Sequence, residues 1–320
     1  MGGDGGADLA LEALPTALSA DPALHCLCVG SRSTLDRIQA LPASLRQRIE
    51  TLSSEQTLPA DVSAAQAIRH GQDSSLAIAM KALADDQADA LVSAGSTVGL
   101  MALSRQLLGM LPGVERPALM TSLPTLEAPV WVLDLGANVQ VDARRLLEFA
   151  QLGSVAVEIV TGRNPRIGLL NIGSEPGKGP DMLREAARLI DAESALDYAG
   201  FVEGDRVFCG QVDLVVCDGF AGNILLKSAE GAVRLTLGTL ADALQGSLLA
   251  RLLRRRLRRV HDSLNPARHN GAPMLGVRGT VIKSHGGASS QGLAHAIDLA
   301  ARQARGGLVK QLENRLWSAE

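Results

Sequence analysis

Two side chains carry the chemistry for which this sequence is best equipped, the ammonium of Lys178 and the carboxamide of Asn223. Lys178 lies in Gly168-Leu169-Leu170-Asn171-Ile172-Gly173-Ser174-Glu175-Pro176-Gly177-Lys178-Gly179-Pro180, an apolar run that enters a glycine-bearing loop and then a helical stretch. Gly177 and Gly179 let backbone N–H groups approach an anion, the helix start adds partial positive charge, and the lysine adds a full one. Such a loop suits phosphate; the plain alternative is a strand-to-helix turn with a solvated lysine. It is not a P-loop, because no GxxxxGK[ST] occurs, so nucleotide hydrolysis is not indicated. Asn223 closes a second string of this kind, Asp213-Leu214-Val215-Val216-Cys217-Asp218-Gly219-Phe220-Ala221-Gly222-Asn223. Its amide N–H can donate to a developing oxyanion; otherwise it is an N-cap. Asp218 either orients a neighbour such as Lys178 or stabilises the turn. Cys217, in an apolar strand, is placed as an inert thiol.

Three further loops repeat the pattern of a strand running into small, glycine-bearing polar residues. They are Ser93-Ala94-Gly95-Ser96-Thr97, Leu133-Asp134-Leu135-Gly136-Ala137-Asn138, and Lys283-Ser284-His285-Gly286-Gly287-Ala288-Ser289-Ser290. The candidate set binding phosphate and the rest of the ligand is therefore Gly177, Gly179, Asp218, Gly219, Gly222, Ser93, Gly95, Ser96, Asn138 and His285 around the candidate catalytic pair. No metal and no cofactor are expected. The six histidines form no HExxH or HxxEH arrangement, and no serine sits in GxSxG. Gly30-Ser31-Arg32-Ser33-Thr34 lacks GxGxxG, which leaves hydride transfer a minor alternative.

Loops of this kind need strands to present them. Short β-type runs at 24–29, 90–93, 131–134, 167–172 and 213–217 each end near glycine, and helical patterns cover 73–87, 97–108, 142–160, 181–192, 223–244 and 291–316. The alternation predicts βαβ units: an α/β fold with a Rossmann-like, mostly parallel sheet and helices on both faces, its ligands beyond the carboxyl ends of the strands. One large domain over 1–320, or two interleaved lobes, is expected. The segments 265–276 and 46–59 read as loops. Met1-Gly2-Gly3-Asp4-Gly5-Gly6 is a glycine turn with no strand before it; a first strand outside the sequence is preferred over a disordered start.

Composition narrows the function. With 320 residues, 46% hydrophobic and 20% charged, the chain buries a large core. A net charge of −3 and 2% aromatic residues argue against nucleic acid as a partner. The four cysteines lack CxxC pairing and suit a reducing cytoplasm as buried thiols. No apolar run reaches the roughly 18–20 residues that span a bilayer. Within 246–262, Leu248, Leu249, Leu252, Leu253, Leu257 and Val260 share a helical face while Arg255 and its neighbouring arginines crowd the rest. Such a segment either lies in an anionic membrane interface or packs its leucines on a partner subunit.

Together, MGGD at 1–4, SSL at 74–76, ADALVSAGST at 88–97, RPA at 116–118, LDLGAN at 133–138, GLLNIGSEPGKG at 168–179, DGFAGN with LLK at 218–227 and IKSHGGAS at 282–289 resemble the phosphate acyltransferase family of bacterial phospholipid synthesis. The resemblance implies a fold similar to the isocitrate/isopropylmalate dehydrogenase and phosphotransacetylase group, a homodimer, and acyl phosphate made from acyl-acyl carrier protein and phosphate. It also implies delivery to a membrane glycerol-3-phosphate acyltransferase, Lys178 and Asn223 as active-site residues, and membrane association near the dimer tip through the Leu/Arg helix. Two departures stand near the first and third loops. Gly5-Gly6 replaces a usual Gly-Pro pair, and Ser96-Thr97-Val98-Gly99 stands where Asn-Thr-Gly-Ala is common.

Overall fold

The computed structural model describes residues 2–3, 5–244 and 270–317. The segment 246–262, with Leu248, Leu249, Leu252, Leu253, Leu257 and Arg255, lies outside them. In chain order the strands are β1 (Cys26–Gly30), β2 (Ile49–Ser53), β3 (Ala90–Ser93), β4 (Ala118–Leu123), β5 (Val130–Leu133), β6 (Arg166–Leu170), β7 (Asp197–Val202), β8 (Leu214–Val216), β9 (Ala272–Leu275) and β10 (Thr280–Lys283). The described helices are α1 (Gly6–Ala20), α2 (Arg32–Asp36), α3 (Ala43–Arg46), α4 (Ala64–His70), α5 (Ser75–Ala84), α6 (Thr97–Leu103), α7 (Ala143–Thr161), α8 (Asp181–Asp191), α9 (Gly219–Leu244), α10 (Ser290–Arg305) and α11 (Leu308–Trp317). Strands alternate with helices and most strand pairs are parallel, which is the expected α/β architecture. Two compact units share the chain: Met1–Thr121, Gln151–Asn164 and Asn270–Glu320 form the first, Ser122–Ala150 and Pro165–His269 the second.

In the second unit the strands run parallel in the order β5-β8-β6-β7. Val130, Trp131, Val132 and Leu133 of β5 and all of β8 are buried, the continuous apolar run expected of a parallel strand covered on both faces. Strand starts are pinned by Arg166, whose backbone N and Nε donate to Asp213 Oδ2 at 2.9 and 3.0 Å. Leu123, Val130, Val132, Val202, Val207, Val212, Val215 and Cys217 form a core against which Ala221, Leu225 and Leu226 of α9 pack. The helical period of 100° per residue turns Asn223 away from that buried face, and it is exposed.

In the first unit β3 pairs with β10 in parallel, while β10–β9 and β9–β4 are antiparallel; β1 and β2 form a separate parallel pair. The α5 helix packs on both β1 and β3, and α1, whose Leu9, Ala13, Leu14, Ala17 and Leu18 are buried, packs on α10.

Several boundaries differ from expectation for identifiable reasons. The helix expected over 97–108 ends as α6 at Leu103 and finishes in a π-helical turn, Ser104–Leu108, closed by Gly109 at φ +79. The helix expected over 291–316 breaks into α10 and α11 at Gly306-Gly307. A Cβ on Gly306 would stand 2.2 Å from Ile159 Cγ2, and Gly307 takes φ +64. The stretch 46–59, read as a loop, contains β2, and Ala272–Leu275, within the loop expected at 265–276, is β9.

Candidate active-site loops

Neighbouring parallel strands β5, β8 and β6 release their loops at the same edge of the second unit, roughly 10 Å across at one interstrand spacing per step. Asn138 follows β5, Asn223 follows β8 and Lys178 follows β6. Gly177 and Gly179 lie in the β6 connection and Asp218, Gly219 and Gly222 in the β8 connection, whereas Ser93, Gly95, Ser96 and His285 belong to the first unit.

The β8 connection differs from the sequence reading at one point. α9 begins at Gly219, so Asn223 lies one turn inside the helix and is not its cap. Asp218 is the cap: its Oδ1 accepts from Ala221 N at 2.7 Å and its carbonyl from Gly222 N at 2.9 Å. Asn223 is thereby relieved of backbone duty, and its exposed amide is available to a ligand. Two glycines admit the close approach this requires. A Cβ on Gly219 would meet Gly136 Cα and Asn138 O at 2.8 Å, and one on Gly222 would reach Asp134 O at 2.0 Å and Cys217 Sγ at 2.9 Å. Gly222→Ala is therefore expected to cost about 1–3 kcal/mol by overpacking against backbone, read as a lowered urea midpoint with an unchanged m-value.

The β6 connection holds Lys178 by its backbone. Lys178 N donates to Glu175 O at 3.0 Å, Asn171 Nδ2 donates to Lys178 O at 3.1 Å, and Arg184 Nη1 donates to Gly179 O at 2.6 Å. Gly179 takes φ +80, and a Cβ there would collide with Asn171 Oδ1 at 2.1 Å. The lysine stem lies over Gly173, where a Cβ would fall 2.8 Å from Lys178 Cγ. Among the described residues the Lys178 ammonium has no ion-pair partner, so its charge is available to an anion.

The β5 connection contains a residue the sequence did not reveal. Asp134 is fully buried, and its carboxylate accepts from Leu135 N (2.7 Å), Ala137 N (3.3 Å), Asn138 N (2.6 Å) and Asn138 Nδ2 (3.1 Å). Asn138 is itself buried, its side chain turned onto Asp134 and its carbonyl accepting from Gly219 N at 2.8 Å. The available signal was an acidic residue ending an apolar strand, with glycine two positions on. Cys217, beside it, is buried; burial pushes its thiol well above the ordinary range, the carboxylates of Asp134 and Asp218 adding to the effect, and its Sγ donates to Asp134 O at 3.6 Å. It carries no thiolate near neutral pH, in keeping with the inert assignment.

In the first unit the corresponding loops also come together. Ser93 Oγ accepts from Gly95 N at 3.2 Å, Ser96 Oγ caps α6 through Gly99 N at 3.3 Å, and Ser284 N donates to Ser93 O at 2.8 Å. His285 is exposed; its Nδ1 accepts from Gly287 N at 3.1 Å, which places the proton of the neutral ring on Nε2. The glycine start joins them: a Cβ on Gly2 would lie 2.5 Å from Gly95 Cα, and Gly3, at φ +88, lies against Ala94 O and Gly286 O. No cluster of side chains able to hold a metal occurs among the described residues, and none of their helices is long and apolar enough to cross a membrane.

Residues 1–311 match the family described as "Fatty acid synthesis protein". A phosphate acyltransferase of Pseudomonas syringae pv. syringae is 43% identical over 99% of this chain and 94% of its own length, and one of Pseudomonas putida is 44% identical over 99% and 96%. Among solved structures, a phosphotransacetylase from Streptococcus pyogenes superposes with a TM-score of 0.63 at 17% identity, covering 93% of this chain and 92% of its own. A 4-hydroxythreonine-4-phosphate dehydrogenase from Klebsiella pneumoniae gives 0.55 at 17%, covering 93% and 95%. At those identities the two structures establish the fold alone.

Proposed function

The chain belongs to the phosphate acyltransferase family, and we propose that it takes its acyl group from acyl-acyl carrier protein and releases acyl phosphate for phospholipid synthesis. The observation that carries this is that a lysine with no ion-pair partner among the described residues and an exposed carboxamide stand in connections from adjacent parallel strands, β6 and β8. A phosphate oxygen attacks the thioester carbonyl carbon, the carbonyl oxygen becomes an oxyanion, and the tetrahedral intermediate collapses as the C–S bond breaks. The thiolate of the carrier's prosthetic arm leaves and takes up the proton that phosphate gives up. Phosphate is already a nucleophile, so no covalent enzyme intermediate is required, and positioning supplies on the order of 7–11 kcal/mol in favourable systems. Lys178 binds and orients phosphate and assists its proton transfer; Asn223 donates to the oxyanion. Gly177 and Gly179, with Asp218, Gly219, Gly222 and Asn138, shape the surroundings of that pair; Ser93, Gly95, Ser96 and His285, in the other unit, remain candidate donors for phosphate or the acyl thioester.

The enzyme acts in the cytoplasm as a homodimer. Support comes from α9, on which Phe220, Ile224, Leu235 and Leu240 are exposed apolar side chains that a second subunit would cover. The Leu/Arg segment at 246–262 holds it at the inner face of the membrane, close to the glycerol-3-phosphate acyltransferase that consumes the product. One assay tests the reaction. Incubation with palmitoyl-acyl carrier protein should release free thiol only when inorganic phosphate is present, and palmitoyl-CoA should be turned over at least about tenfold less efficiently in kcat/KM. Equal efficiency with both donors would reassign the enzyme to acyl-CoA, and thiol release without phosphate would make it a thioesterase.

A further inference from the structure

We propose that Asp134 is the positioning residue for Asn223, holding the β5 turn as a platform under the first turn of α9. This rests on the reading of Asn223 as the oxyanion donor. The carboxylate gathers three backbone N–H groups and the Asn138 amide, which closes residues 134–138 into one rigid turn with Gly136 at φ +113. The turn engages α9 at three places. Asn138 O accepts from Gly219 N at 2.8 Å, Gly219 packs directly on Gly136, and Gly222 packs on the Asp134 carbonyl. Asn223 completes the contact: a Cβ on Gly136 would stand 3.7 Å from Asn223 Cβ, so the base of the Asn223 side chain lies over the turn that Asp134 shapes. Asp134 is fully buried and has no path to substrate. Its influence on the reaction passes through where Asn223 is held, and misplacement by about 1 Å can cost on the order of 100-fold.

Asp134→Asn keeps the volume but sets an amide N–H against backbone N–H donors, so the turn loses part of its closure. The expected result is a fall in kcat of about 100-fold with the KM for phosphate and for acyl donor held within about threefold. The decisive readout is the same substitution in an Asn223→Ala background, where the further loss should be under about threefold because the group being positioned is gone. Asn138→Ala, which removes one of the four bonds, should show a smaller kcat loss of about fivefold that likewise vanishes in the Asn223→Ala background, and it serves if Asp134→Asn melts below assay temperature. Equal losses in both backgrounds, or full activity of both variants, would overturn the proposal while leaving Asn223 in place. A fully active Asn223→Ala enzyme would instead remove the oxyanion assignment itself, and the proposal with it.

Discussion

Lys178→Ala should lower kcat/KM for phosphate by about 10²–10³-fold, equivalent to about 3–4 kcal/mol of transition-state stabilisation. The KM for the acyl donor should stay within about threefold, because that substrate's binding does not depend on the ammonium. The size follows from the surroundings. Among the described residues the ammonium has no acidic partner, so its charge is not spent within the protein. Backbone bonds from Asn171 and to Glu175 fix where the side chain leaves the loop. Once the acyl donor covers the bound phosphate, removing the lone cation opposite that dianion costs in the range of about 2–5 kcal/mol. Lys178 is exposed, with its stem lying over Gly173, so the variant should unfold within about 0.5 kcal/mol of the parent in urea. Lys178→Arg should recover only part of the loss, since a planar, delocalised guanidinium on a three-methylene stem cannot place its charge where a point ammonium stood. Full turnover by Lys178→Ala under limiting phosphate would dismiss the lysine from the site.

What the sequence made legible was whatever local chemistry decides. The strands β5, β6 and β8 announced themselves as apolar runs cut off by Asp, Asn or Gly, because a strand buried on both faces has no polar alternation to confuse it. The edges were less visible. β2 carries exposed Glu50 and Thr51, and β9 contains Pro273, so neither shows the apolar run that gave the central strands away. The start of α9 was hidden for a related reason. Gly219, Gly222 and Asn223 have weak helix propensity and read as a turn, yet the helix is imposed there by tertiary contact, since only glycine fits against Gly136 and the Asp134 carbonyl. Asp134 escaped notice because the four bonds that define its role come from a turn whose closure only the folded chain shows. Lys178 and Asn223 could be named as candidates from residue type and spacing; their placement in adjacent connections depends on the strand order β5-β8-β6, which sequence order alone does not give.

Asn223→Ala should lower kcat by about 10²–10³-fold, the range for losing one oxyanion donor, with both KM values nearly unchanged. The split between kcat and KM distinguishes it from Lys178. The thioester carbonyl oxygen bears little charge in the ground state and close to a full one in the tetrahedral intermediate, so a carboxamide aimed at the latter contributes chiefly after binding. Capping is not its role, because Asp218 already satisfies the Ala221 and Gly222 donors and Asn223 sits a turn further in. Losing it should therefore leave the helix start intact, with a far-UV spectrum and urea midpoint matching the parent. Asn223→Asp sharpens the test. It keeps the shape but replaces a donor with an acceptor bearing negative charge toward the oxyanion, so it should be at least as inactive as alanine and should also weaken phosphate binding by charge repulsion. An Asn223→Asp enzyme with parental kcat would show that this side chain faces no developing negative charge.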